Sequence, residues 1–143
     1  MKKSLLALAS GAFILGAAEF VMMGILPDVA RDLKISIPAA GHFISAYALG
    51  VCVGAPVLTL ARKYPLKHIL LVLVTLIMVG NICAALSPNY WMLLISRFIS
   101  GLPHGAYFGV GSIVAERLAD KGKSSEAVSI MIAGMTIANL FGV

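Results

Sequence analysis

Long apolar runs separated by short charged segments are the dominant pattern in this chain. Glu19 is the only charged residue within 5–27, and neither 35–61 nor 68–96 contains Asp, Glu, Lys or Arg. A Ser-Pro-Asn turn signal at 87–89 divides the last of these runs. Crossing a bilayer takes about 20 residues of helix, and a helix satisfies its backbone polar groups within one segment. The pattern therefore predicts five transmembrane helices, at about 5–27, 38–61, 67–87, 90–114 and 126–143.

Composition indicates that lipid is the main surrounding of these helices. Hydrophobic residues make up 60% of the 143 residues, charged residues make up only 12%, and the mean hydropathy is +0.99. Globular domains carry about 25% charged residues, and a soluble domain of this size cannot hide so much apolar surface. The predicted fold class is an all-α membrane protein, with the lipid bilayer as a partner.

The basic residues predict how the helices are oriented. The net charge of +5 comes from short clusters between the apolar runs, not from a basic face, which argues against nucleic-acid binding. Segments 2–3, 62–67 and 115–125 together hold eight of the eleven Lys and Arg residues, whereas the 28–37 loop holds two. Positively charged loops stay on the cytoplasmic side, so the sequence predicts a cytoplasmic N-terminus.

No stretch of the sequence has the spacing of an enzyme site. It contains neither a nucleophile with its base nor a cluster of metal ligands, and Cys52 and Cys83 lie singly inside apolar runs. We therefore predict no enzymatic activity, no cofactor and no metal.

The fourth predicted helix carries a regular small-residue pattern. Gly101, Gly105 and Gly109 recur at every fourth position and form one stripe, which allows another helix to approach closely in lipid. Pro103 lies within the stripe, frees a backbone carbonyl and is expected to kink the helix. Such a helix suits a protein that rocks between states, and it is equally compatible with static packing.

Two opposite charges are predicted at similar depths inside the membrane. Arg97 lies about 10 Å below the outer end of the fourth helix, and Glu19 lies about 12 Å below the outer end of the first. A charge at the bilayer centre costs about 2.5–3.5 kcal/mol on insertion scales. We expect the pair to face the interior and to take part in proton coupling or to line a cavity. The alternatives are a structural ion pair or an arginine that snorkels to the interface.

Three uncharged or weakly basic side chains are softer candidates. Tyr47, His104 and Asn139 could line a polar cavity, or they could hydrogen-bond neighbouring helices to one another. His104 could also titrate near neutral pH.

Four stretches carry a resemblance to a known family. The sequence resembles bacterial proton-linked exporters of the major facilitator superfamily, and within them the arabinose-inducible sugar or drug efflux group. The resemblance covers the whole chain as the first five of twelve helices. In that family an arginine followed four residues later by glycine is associated with proton coupling, and Arg97 and Gly101 match this pattern. The stretches are EFVMMGILPDVARDL (19–33), ISIPAAGHFISAYALGVCVGAP (35–56), LKHILL (66–71) and RFISGLPHGAYFGVGSIVAERL (97–118).

Two regions fit the family less fully. AGMTIANLFGV (133–143) resembles its glycine-rich fifth-helix motif, but the sequence stops before the expected Gly-Pro. The loop between helices two and three usually contains Asp-Arg-x-Gly-Arg-Arg, whereas here ARKYPLK (61–67) has Arg62 in place of the acidic residue and Pro65 in place of the glycine. This loop therefore departs from the pattern that forms the charge-relay gate of the family.

The resemblance implies secondary active transport. The expected activity is proton-coupled efflux of a sugar, drug or similar small polar molecule by alternating access, in a multi-pass protein of the bacterial inner membrane. Its partners would be the substrate, protons and the remaining helices of a full-length protein. Because the last run meets no loop or cap, we expect a single membrane domain, 1–143, truncated within its fifth helix. The alternative is a truncated, non-transporting membrane protein that acts only as a packing partner.

Overall fold

The structure is a computed structural model that describes residues 2–60 and 63–142, with side-chain burial for 3–56 and 63–141. These residues fold into helices joined by short connections. The helices are α1 (Lys2–Gly24), α2 (Leu26–Asp32), α3 (Ile37–Leu60), α4 (Leu66–Ala85), α5 (Tyr90–Leu118) and α6 (Ser124–Gly142).

Four helices of the described chain have the length and hydropathy of membrane spans: Lys3–Gly24, Ile37–Pro56, Leu66–Ala85 and Ser124–Phe141. The prediction of five spans is therefore met by four of them. The remaining predicted span, the fourth in chain order, corresponds to α5. This helix has 29 residues and is roughly 43 Å long, which exceeds the thickness of the hydrocarbon layer. Its composition is more polar because many of its side chains contact other helices and not lipid, among them Arg97 and His104.

The first predicted span differs from the structure at its C-terminal end. A single helix was predicted over 5–27, but α1 ends at Gly24 and the separate helix α2 begins at Leu26. Pro27 lies in the first turn of α2 and Asp28 follows it, as is common where a helix begins. The predicted 28–37 loop thus contains most of a short helix. After this helix the chain turns at Lys34, whose φ of 55° lies in the left-handed region.

Helix α5 occupies the centre of the bundle and contacts α1, α3, α4 and α6, while α1 packs along α6. Its twelve buried residues run from Leu93 to Ala115, so one helix supplies the interior of the bundle over most of its length. Two apolar clusters surround it. One lies around Leu15, Ile77 and Val110, and the other lies around Phe43 and Leu93.

Glycines allow α3 and α5 to touch backbone to backbone. A methyl group added at Gly101 or Gly105 would overlap the carbonyl oxygen of Tyr47 or Val51, respectively. The contact is reciprocal. On α3, Gly50 and Gly54 have the same four-residue spacing, and a methyl group on them would overlap the carbonyl oxygens of Phe98 and Leu102. Gly109, the third residue of the predicted stripe, is partly buried.

Candidate functional site

Arg97 lies inside the helix bundle about two turns into α5, with 2% of its surface exposed. Its Nη1 donates a hydrogen bond of 2.7 Å to the carbonyl oxygen of Ala18 on α1. Its guanidinium carbon lies 4.3 Å from the centroid of the Tyr47 ring, a distance at which a cation is attracted to an aromatic face. Nε and Nη2 are buried and have no hydrogen-bond partner among the described residues. Arg97 therefore keeps donors free for an acceptor.

Tyr47 joins α3 to both neighbouring helices. Its side chain is buried, and its hydroxyl lies 2.9 Å from Nδ1 of His104 on α5 and 3.4 Å from the carbonyl oxygen of Leu15 on α1. The Tyr47 and His104 rings meet edge to face, with centroids 5.8 Å apart. The close approach of α3 and α5 brings the tyrosine this near to the histidine. Gly50 lies one turn from Tyr47 on α3, and Gly101 lies one turn from His104 on α5.

Glu19 borders the same cluster from α1. Its Oε2 lies 3.8 Å from Nδ1 of His104 and is buried without a hydrogen-bond partner in the described part of the chain. The side chain as a whole is 28% exposed, so the carboxylate has one accessible edge. Arg97 reaches the carbonyl of residue 18, directly before Glu19, but in this conformation the structure shows no ion pair between Arg97 and Glu19 within its described residues.

The structure thus brings together four of the predicted site residues. Glu19, Tyr47, Arg97 and His104 form one buried polar cluster on α1, α3 and α5, which we call the polar cluster. Asn139 lies apart from it on α6 and is exposed. Of the predicted glycines, Gly101 and Gly105 lie on the α3–α5 contact beside the cluster.

The sequence analysis missed the acceptors that hold the cluster and the α3 half of the glycine contact. The acceptors of Arg97 and Tyr47 on α1 are backbone carbonyls, which no side-chain pattern can reveal. Gly50 and Gly54, by contrast, carry the same spacing signal as the glycines of α5 and could have been paired with them.

A cavity of about 340 Å³ opens beside the cluster, between α1, α2, α4 and α5. Arg97 lines it together with mostly apolar side chains, and Asn81, Ser87 and Asp32 add polar atoms. Arg97 therefore borders this cavity as well as the polar cluster.

Ionisable side chains that face the interior of a bundle of apolar helices mark substrate or ion pathways, proton relays and related functional sites in membrane proteins. The sequence profile of the Major Facilitator Superfamily matches residues 8–143, and the chain belongs to this family. The chain therefore belongs to a family of multi-pass membrane transporters of small molecules, and the predicted resemblance to the N-terminal portion of that family is confirmed.

Particular relatives refine this placement. The chain is 56% identical to the Putative transporter AraJ of Escherichia coli K12, over all of this chain and 36% of that protein. It is 48% identical to the Inner membrane transport protein YdhP of the same strain, over 97% of this chain and 36% of that one. It is 32% identical to a Probable sugar efflux transporter of Helicobacter pylori P12, over 92% and 34%. The chain thus spans about a third of the length of these relatives.

Proposed function

We propose that this chain forms the N-terminal helices of a proton-coupled exporter of a sugar, drug or similar small polar molecule. The exporter would lie in the bacterial inner membrane with its N-terminus in the cytoplasm. The observation that carries the proposal is the environment of Arg97. This buried cation donates through Nη1 to the carbonyl oxygen of Ala18, directly before Glu19, while its Nε and Nη2 have no partner among the described residues. Two relatives whose names include an inner membrane transport protein and a sugar efflux transporter support the same function.

The geometry suits an exchange of partners. A buried cation that has a backbone carbonyl as its acceptor can take a carboxylate without first losing another ion. Glu19 lies on the same turn of α1 as this carbonyl, which belongs to Ala18, and its carboxylate has one exposed edge through which a proton can arrive. When Glu19 is charged it is drawn to Arg97, and when it is protonated that attraction is lost. Each proton would then change the contact between α1 and α5.

Substrate would bind where these helices face the rest of a full-length carrier. Facilitator-type carriers bind substrate near the middle of the membrane and open alternately to each side. In our proposal Tyr47 and His104 line the inner wall of that cavity, and Asn139, which is exposed on α6, contributes a polar group where α6 faces it.

The test uses a full-length protein that carries this sequence, reconstituted in vesicles with an imposed proton gradient. Arg97→Ala should abolish proton-driven transport with insertion largely retained, and Glu19→Gln should change the pH dependence. Arg97→Lys should rescue poorly, because an ammonium lacks the planar fork that binds a carboxylate through two bonds. Arg31→Ala is the matched control, since Arg31 is an exposed arginine that pairs with Asp28. Normal transport by Arg97→Ala at every pH would refute the coupling role.

The second candidate is a membrane protein that does not transport and acts as a packing partner. The observation in its favour is that the chain covers only about a third of the length of its relatives. Reading the gene beyond codon 143 separates the two candidates. Continuation into further apolar spans favours the exporter, and a stop codon favours the packing partner.

A further inference from the structure

Nδ1 of His104 lies between two oxygen atoms that belong to different helices. The Tyr47 hydroxyl on α3 is 2.9 Å away, and Oε2 of Glu19 on α1 is 3.8 Å away. The histidine is 6% exposed, and Oε2 has no hydrogen-bond partner among the described residues. A neutral imidazole has one donor and one acceptor nitrogen, whereas the doubly protonated ring has two donors. Adding a proton to His104 therefore reverses what Nδ1 can do.

The Tyr47 hydroxyl has one hydrogen and two acceptors within reach. These are Nδ1 of His104 at 2.9 Å and the carbonyl oxygen of Leu15 at 3.4 Å. The shorter distance favours donation to Nδ1 while the ring is neutral. If Nδ1 becomes protonated, the hydroxyl can turn to Leu15 without losing a partner.

We propose that His104 is a proton-operated switch that decides whether Glu19 pairs with α5 through the histidine or through Arg97. In the neutral state the ring proton is on Nε2, and Nδ1 accepts from Tyr47. A proton that enters the cluster adds to Nδ1, Tyr47 turns to Leu15, and the new Nδ1–H closes the gap to the Glu19 carboxylate. Loss of that proton restores the first state. This inference rests on the proposed function, in which Glu19 and Arg97 are the coupling groups.

The surroundings of His104 make this a competition for one carboxylate. Within the described chain, the ionisable side chains that face it are Glu19 from α1 and Tyr47 from α3, and the next cation on α5 is Arg97. Arg97 lies over the ring of Tyr47, whose hydroxyl contacts His104. A charged His104 therefore offers Glu19 a second cation, two helical turns from Arg97, that competes with the arginine for the carboxylate.

The first experiment observes the switch in the 143-residue chain itself, reconstituted in lipid bilayers and labelled with ¹⁵N-histidine and ¹³C-glutamate. The three histidines are distinguished with His104→Gln. We expect the neutral ring to show an unprotonated, hydrogen-bonded Nδ1, and Tyr47→Phe to shift that resonance. Tyr107→Phe is the matched control. It removes another buried tyrosine hydroxyl, one that donates to the carbonyl oxygen of Leu8 and not to a histidine, and it should leave His104 unchanged.

Acidification tests the link to the carboxylate. The Glu19 carboxyl resonance, assigned with Glu19→Gln, should change over the same pH interval as the His104 ring, and His104→Gln should remove this shared transition. Two results would overturn the switch. One is a His104 ring that stays neutral throughout the pH range in which the chain is folded, and the other is a Glu19 signal that is indifferent to His104→Gln.

The second experiment measures transport by the full-length protein as the pH is varied. His104→Gln should export at a rate that no longer responds to pH, whereas Tyr107→Phe should keep the response of the unmodified protein. If the unmodified protein exports without any dependence on a proton gradient, the proposed function fails. If export is proton-driven but His104→Gln keeps the full pH response, the switch is wrong and the proposed function stands.

Discussion

The contact between α3 and α5 predicts a large difference between two glycine-to-alanine substitutions. A methyl group at Gly101 would overlap the backbone carbonyl oxygen of Tyr47 and would lie 3.2 Å from the Cα of Gly50. Because both obstacles are backbone, no rotation of a side chain can relieve the overlap, and the helices must separate. A methyl group at Gly41, which also lies in α3, would have no heavy atom within 4 Å.

The magnitude follows from two opposing effects. Each substitution gains about 0.5–1 kcal/mol because alanine loses less backbone freedom than glycine in a helix. Gly101→Ala also incurs the cost of overpacking, about 1–3 kcal/mol. Since the gain is common to both variants, their difference isolates overpacking, and Gly101→Ala should be about 1–3 kcal/mol less stable than Gly41→Ala.

The assay is unfolding of the full-length protein in mixed micelles with increasing denaturing detergent, followed by helical circular dichroism. Gly101→Ala should unfold at lower detergent than the unmodified protein, and Gly41→Ala should unfold at the same or higher detergent. Gly105→Ala should resemble Gly101→Ala, because its methyl group would overlap the carbonyl oxygen of Val51. Equal stability of Gly101→Ala and Gly41→Ala would refute the inference that α3 and α5 are in backbone contact.

Three further predictions follow from the topology, the cap of α5 and the extent of the chain. Single cysteines at Ser36 and Ser124, in a background without the two native cysteines, should differ in reaction with an impermeant thiol reagent added from outside. Ser36 should be labelled and Ser124 protected, and the reverse pattern would overturn the predicted orientation. Asn89→Ala should destabilise the protein by about 1 kcal/mol in the same unfolding assay, because the Asn89 side chain accepts a 2.9 Å hydrogen bond from a backbone N–H in the first turn of α5. Vesicles that contain only the 143-residue chain should show no saturable proton-driven transport, and such transport would contradict the need for further helices.

Hydropathy predicted most of the helices because a segment that faces lipid must be apolar along about 20 consecutive residues. It failed at the end of α1, because the residues that follow the break at Ile25 are apolar as well. Pro27 was the usable signal there. Hydropathy also placed the end of the fourth predicted helix too early, at about 114, whereas α5 continues to Leu118. Hydropathy reports where lipid ends, while Glu116 and Arg117 continue the helix beyond that point.

The polar cluster was predictable in depth but not in its pairings. Counting residues placed Arg97 and Glu19 at similar heights, and Arg97 does reach the turn of α1 that contains Glu19. Neighbouring helical residues point about 100° apart, so a match in height leaves the direction of each side chain open. That direction is set by the rotation of each helix about its own axis, and in the structure it brings His104 next to Glu19.

The polarity of α5 has a consequence for the way the chain enters the membrane during synthesis. A segment with Arg97 two turns from its start and His104 at its middle partitions poorly into lipid by itself, since charged residues within a helix oppose insertion by translocon scales. Helices α1, α3 and α4, which cover these side chains in the folded bundle, leave the ribosome earlier. We therefore expect α5 to integrate efficiently only when the preceding helices remain beside the translocon to receive it. A reporter that carries α5 alone should accumulate largely outside the bilayer.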